Sequence, residues 1–130
     1  MVSATSAITK VDTVGIPSRD TERSRRFYVE TLGLRPDANA WNEFWVGETC
    51  FAIWEPERIG MKFTPQTSGI ALLRVDDVAA ARAEFEAKGV EFEGETVDTG
   101  VCHMATFFDP DGNPLVLHKR YAPYVEARSA

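Results

Sequence analysis

Histidine and cysteine are scarce in this chain. Its 130 residues hold two of each. His103 and His118 stand 15 residues apart, and Cys50 and Cys102 are not in C-x-x-C spacing. A zinc or iron centre usually draws on several such side chains, so the ordinary Cys/His metal clusters are excluded. Two cysteines are no disulfide framework either, and both are expected as reduced, buried thiols. Basic residues are few: 14 against 20 acidic ones, for a net charge of −6 and a pI near 4.9. Nucleic acid and anionic membranes both attract cationic surfaces, so neither is an expected partner. No apolar run approaches the ~18 residues of a membrane span. Residues 1–10 lack a basic stretch followed by an apolar block, so no secretory signal is read and a cytoplasmic location is expected. What remains is an ordinary globular mix, 44% apolar and 26% charged, in 14.5 kDa. A chain of this length buries about two-thirds of its unfolded surface and needs no staple to fold.

Residues 1–10 read as a flexible N-terminus, 11–121 as one domain with modules at 11–55 and 69–119, and 122–130 as a C-terminal tail that packs or frays. Residues 11–17 alternate, with Val14 and Ile16 on one side and Thr13, Gly15 and Pro17 on the other, which predicts a strand. Asp20 is placed to cap a helix that carries Phe27, Tyr28, Thr31 and Leu32 on one face and stops at Gly33. Residues 34–39 are a weaker strand candidate. Residues 41–46 and 50–54 are stronger ones, joined by a turn at Gly47-Glu48. Pro56, Gly60 and Pro65 mark 55–68 as a loop.

The pattern then starts again. Residues 69–75 predict a strand, Asp77 a cap, 78–88 a helix burying Val78, Ala81 and Phe85, and Gly89 its end. Strands are expected at 90–92, 101–108 and 115–118, with a tight turn at Asp109-Pro110-Asp111-Gly112-Asn113. Asp77 follows Asp20 by 57 residues, Gly89 follows Gly33 by 56, and Leu115 follows Phe51 by 64. Caps, terminating glycines and strand order recur together, so the chain reads as two βαβββ repeats of an α+β fold.

Four cues in the first repeat are the strand at 11–17, Asp20, Arg26-Phe27-Tyr28 and Leu32-Gly33-Leu34. The second repeat adds Arg74 through Val78, Phe85 with Lys88-Gly89-Val90, and Phe108 through Leu115 around the DPDGN turn. Together these resemble the vicinal oxygen chelate superfamily of glyoxalases, bleomycin-resistance proteins and extradiol dioxygenases. The resemblance spans roughly residues 11–119. It implies two modules whose curved sheets pair into cups, in many small members across a homodimer. It also implies metal ligands on the first and last strand of each module. Those positions here hold Thr13, Ala52, Ile70 and Val116. Metals need charged or strongly dipolar donors, and this set supplies one hydroxyl. The expectation is therefore a site with no metal and no cofactor, and no glyoxalase or dioxygenase chemistry of the usual kind.

Strand alternation nominates the side chains that share a face with the missing ligands. They are Thr13, Cys50, Ala52, Trp54, Ile70, Leu72, Arg74, Cys102, Met104, Thr106, Val116 and His118, with Phe44 and Val46 chosen over Trp45 on the third strand. This lining is apolar and aromatic with a few polar points, as in a small-molecule pocket. Trp54 is the candidate stacking platform, Arg74 the candidate partner for a ligand carboxylate, phenolate or quinone oxygen, and His118 a candidate hydrogen-bond or acid/base group. His103 is expected on the helix side, and Cys102 lacks an obvious activating partner. Trp41, Trp45 and Tyr124 are candidates for a dimer interface. The leading expectation is a homodimeric binding protein of the bleomycin-resistance type, without catalytic residues, that sequesters an aromatic or polycyclic compound such as an antibiotic. The alternatives are a lyase, isomerase or ring-modifying enzyme using the same cup, and an accessory domain that only dimerises. The ligand's identity, any turnover, and whether modules pair within or across chains are not legible in the sequence.

Overall fold

Asp20 and Asp77 start the two helices of the computed structural model, which describes residues 7–123. The Asp20 carboxylate accepts from the backbone N–H of Arg23 at 3.1 Å, and Asp77 accepts from Ala80 at 3.0 Å. Each bond satisfies a donor that the first helical turn leaves unpaired, typically worth ~1 kcal/mol. Helix α1 (Thr21–Arg26) differs from the predicted regular helix, because it widens into a π turn over Phe27–Thr31. There the Leu32 N–H reaches back to the Phe27 carbonyl at 3.0 Å. Helix α2 spans Val78–Ala87. Gly33 and Gly89 end the helical segments at φ of +76° and +92°, where a side chain would be strained.

The strands are β1 (Thr13–Pro17), β2 (Arg35–Pro36), β3 (Glu43–Val46), β4 (Thr49–Trp54), β5 (Ala71–Arg74), β6 (Phe92–Asp98), β7 (Cys102–Phe108) and β8 (Pro114–Arg120). They form two four-stranded sheets, ordered β1-β4-β3-β2 and β5-β8-β7-β6. In each sheet the first strand of a repeat runs parallel to the last strand of that repeat, and the other neighbours are antiparallel. The fold is α+β, and the repeat read from the sequence is the repeat of the sheets. The largest boundary difference is β6. It was expected at 90–92 but runs to Asp98, with its register broken between Glu93 and Val97. Beyond Phe92 the strand is exposed throughout, so it carries little apolar alternation to read. The predicted loop after β4 contains a short 3-10 turn, Pro56–Ile59.

One face of each sheet packs into a common core. Tyr28, Phe44 and Phe107 are fully buried there with Ile16, Phe51, Ile53, Leu115 and Leu117. The Tyr28 ring stacks on Phe44 at 6.0 Å and meets Phe51 edge-on at 5.9 Å. The DPDGN turn of the second repeat then locks onto the first. Asp109 is buried, and its carboxylate accepts from Tyr28 Oη at 2.7 Å, Asn113 Nδ2 at 2.8 Å, and the backbone N–H groups of Asp111 and Asn113 at 2.9 Å. Asp111 accepts from Ser18, Ser24 and Arg23, while Asn113 Nδ2 also donates to the Pro17 carbonyl at 2.8 Å. Burial raises the Asp109 pKa against the pull of these bonds, and burial with the Asp109 charge raises that of Tyr28. No helix among the described residues is long and apolar enough to cross a membrane. Tyr124, most of the tail and residues 1–6 lie outside the described residues.

Candidate ligand-binding site

With one face of each sheet in the core, the other face of each looks away from it. On the first sheet the pairing sets Thr13 beside Cys50, Gly15 beside Ala52 and Pro17 beside Trp54. On β3 the assignment needs correcting. Phe44 pairs with Phe51 and is fully buried on the core side, so it cannot line this face. Val46, half-buried, packs against the same core. Glu43 and Trp45 take their place, opposite Ala52 and Cys50. The signal was present: a two-residue turn at Gly47-Glu48 pairs 46 with 49 and 45 with 50, and cross-strand partners share a face.

The Trp54 indole lies over Gly15, with Nε1 3.5 Å from where a Cβ on that glycine would stand. It remains 37% exposed. Cys50 is buried beneath the same face. Burial raises its thiol pKa, and Glu43 and Asp37 add to the shift, so it is not poised as a thiolate. Beyond Trp54, a crevice of about 480 Å³ is lined by Trp41, Asn42, Asp20, Glu22, Glu55 and Arg58 among others. Its Glu55 carboxylate is held down to about 2, chiefly by the hydrogen bond from the Thr21 hydroxyl and then by Arg58. That carboxylate fastens the start of α1 to the end of β4 and has no proton to give near neutral pH.

On the second sheet the register aligns Leu72 with Val116 and Thr106, and Arg74 with His118 and Met104. Cys102 stands opposite Arg120, a residue the sequence reading left out although it continues the alternation from His118. Ile70 precedes β5 and is exposed, while Val116 and Cys102 are buried. Cys102 Sγ is 3.2 Å from Thr99 Oγ1. His103 lies on the other face, as expected, 3.5 Å from Asp98 and against the Tyr121 ring. A cavity of about 780 Å³ opens over Leu72, Arg74, His118 and Arg120 and is bounded by Tyr121, Ala122 and Pro123. The sequence-nominated residues thus fall into two groups on separate sheets. Thr13, Cys50, Ala52 and Trp54 form one, and Ile70, Leu72, Arg74, Cys102, Met104, Thr106, Val116 and His118 the other.

A sequence profile described as "Glyoxalase/Bleomycin resistance protein/Dioxygenase superfamily" matches residues 10–117. The chain belongs to this superfamily. Solved structures agree on the fold. A superfamily member from Sphaerobacter thermophilus superposes with a TM-score of 0.72 at 24% identity, over 85% of this chain and 97% of that one. One from Nocardioides reaches 0.74 at 15% identity, over 97% and 93%. TnmS3, an antibiotic-binding protein from Streptomyces, reaches 0.68 at 27% identity, over 89% and 99%. No curated protein matches the chain significantly.

Membership raises the question of a divalent metal, and the donor set does not fit one. Of the superfamily's ligand positions, Thr13 and Ala52 lie on the outer face of the first sheet, Val116 on that of the second, and Ile70 just before β5. Their side chains offer one neutral hydroxyl. Among the described residues no three His, Cys, Asp or Glu side chains converge elsewhere either. A hard or borderline cation needs several such donors at about 2.0–2.6 Å.

Proposed function

We propose that this protein binds an aromatic or polycyclic small molecule and sequesters it unchanged, in a cup completed by a second copy of the chain. The observation that carries the reading is the state of the outer faces. Leu72 is 51% exposed and Trp54 37%, on surfaces shaped by β-sheet rather than by loops. A face bearing an indole and aliphatic side chains is covered in use, either by ligand or by protein. In a homodimer the first sheet of one copy would face the second sheet of the other. Trp54 and Trp45 would then look across the floor of Leu72, Val116 and Met104. The 780 Å³ over the second sheet falls within the range of small-molecule sites. The likeness to an antibiotic-binding protein supports the same reading.

The test is a titration of intrinsic tryptophan fluorescence against a library of flat aromatic compounds, with chromatographic recovery of each compound afterwards. Quenching with quantitative return of the unaltered compound is the expected result. A new product would replace sequestration with catalysis, and no response from any compound would remove the reading.

A further inference from the structure

We infer that the ligand of this cup carries an anionic group, such as an aromatic carboxylate or enolate, seated on the second sheet between Arg74, His118 and Arg120. The inference deepens the proposed function and rests on it. The chain as a whole carries a net charge of −6, so a local surface without acids runs against its average. Among the described residues, the cavity over the second sheet is lined by Leu72, Arg74, His118, Arg120, Tyr121, Ala122 and Pro123, with no carboxylate. Register places Arg74 directly beside His118, while Arg120 lies two residues further along β8 on the same face.

The Arg74 side chain is 74% exposed, and Asp76 approaches it only at 4.0 Å, from a side chain that is itself fully exposed. Such a contact holds little energy and does not compete with a ligand. Arg120 is oriented: Nε donates to the Ala122 carbonyl at 2.8 Å and Nη2 to that of Pro123 at 3.1 Å. The acids of the far edge strand, Glu93 opposite Thr106 and Glu95 in the register break that follows it, lie beyond the row of Leu72 and Val116, away from Arg74. The face is therefore graded, cationic at one end and apolar along its middle. A flat ring on Leu72 and Val116 would direct its substituent at the guanidinium of Arg74. Arginine presents parallel N–H groups that match a carboxylate two to two, which makes it the selective element.

Anthracene-2-carboxylate and anthracene-2-carboxamide share a ring system and differ in charge. Equilibrium dialysis of both against the intact protein is the test. The carboxylate should bind at least about 10-fold more tightly than the amide. Arg74→Gln should abolish that preference, bringing the carboxylate's affinity down to that of the amide, and Arg74→Lys should restore part of it. Circular dichroism serves as the folding control, since Arg74 is exposed and its replacement leaves the core intact. Equal binding of the two probes by the wild type would overturn the anionic seat while leaving the aromatic cup standing. A preference that survives Arg74→Gln would overturn the assignment to Arg74. Displacement of the carboxylate by inorganic phosphate at equal concentration would reduce the site to a simple anion contact and overturn it as well. Binding of neither probe would defeat the cup itself, and the inference with it.

Discussion

Removing one oxygen atom tests how the two repeats are held together. Tyr28→Phe keeps the ring that stacks on Phe44 and Phe51 and deletes only the hydroxyl. That hydroxyl donates to the Asp109 carboxylate at 2.7 Å inside the core. A hydrogen bond to a charged group contributes about 1.5–3 kcal/mol. No water-filled route replaces it, since Tyr28 is 0% exposed. For a chain of this size each kcal/mol lowers Tm by about 3–5 °C, so a fall of roughly 5–15 °C follows. Asp109→Asn acts on the same bonds from the other side. It sets an amide N–H₂ against donors that now meet two carboxylate oxygens, and an unmatched buried donor costs about 1–3 kcal/mol. The two substitutions share a bond, so their effects should fall short of additive by about 1 kcal/mol or more in a double-mutant cycle. Burial raises the Asp109 pKa above its ordinary 3.8. Between those two values the folded protein holds more protons than the unfolded chain. Wild-type stability from this group is therefore full below pH 3.8 and declines as pH rises through the folded pKa. Asp109→Asn cannot titrate, so its cost relative to wild type should be larger near pH 3.5 than at pH 7. Urea unfolding at both pH values, followed by circular dichroism, measures all of this. Additive effects, a Tyr28→Phe cost under 0.5 kcal/mol, or a cost of Asp109→Asn that shrinks on acidification would refute the reasoning.

Other outcomes are as specific. Trp54→Ala should weaken binding of flat aromatic compounds by about 10-fold with an unchanged circular dichroism spectrum, because the indole lies over Gly15 rather than in the core; a variant that binds as well as wild type would remove Trp54 from the site. Light scattering at micromolar concentration should return twice the 14.5 kDa chain mass, and a monomer there would leave the exposed outer faces without their cover. Cys50 should react with iodoacetamide at pH 7.5 far more slowly than free cysteine, since burial and Glu43 keep its thiol protonated; rapid alkylation with the fold intact would contradict that account. Elemental analysis after gentle purification should find less than stoichiometric Zn, Ni, Fe or Mn, and Tm should not move with chelator; a loss of stability on chelation would reveal a donor set that the superfamily positions lack.

Local chemistry made most of the fold legible from the sequence alone. Asp20 and Asp77 each satisfy an N–H three residues on, and Gly33 and Gly89 each occupy positive φ, so both helices announce their ends within a few residues. The period-2 alternation of residues 13–17 assigns the buried side of that strand, because a strand with one covered face has only one consistent pattern. The absence of metal ligands at Thr13, Ala52, Ile70 and Val116 is likewise a matter of residue identity and needed no coordinates.

Tertiary structure decided the rest. Phe44 and Trp45 are both large and aromatic, so hydropathy does not separate them; pairing across the Gly47-Glu48 turn does, and it sends Phe44 into the core and Trp45 outward. The edge strand β6 carries almost no apolar signal, since its extent is set by hydrogen bonds to β7 rather than by burial. Asp109 and Asp111 read as residues of a tight turn. That they also receive Tyr28, Ser18, Ser24 and Arg23 depends on contacts more than 80 residues apart in sequence, which no local pattern encodes. Alternation says which residues share a face of a strand, but only the packing of both sheets on one core says which way each face looks.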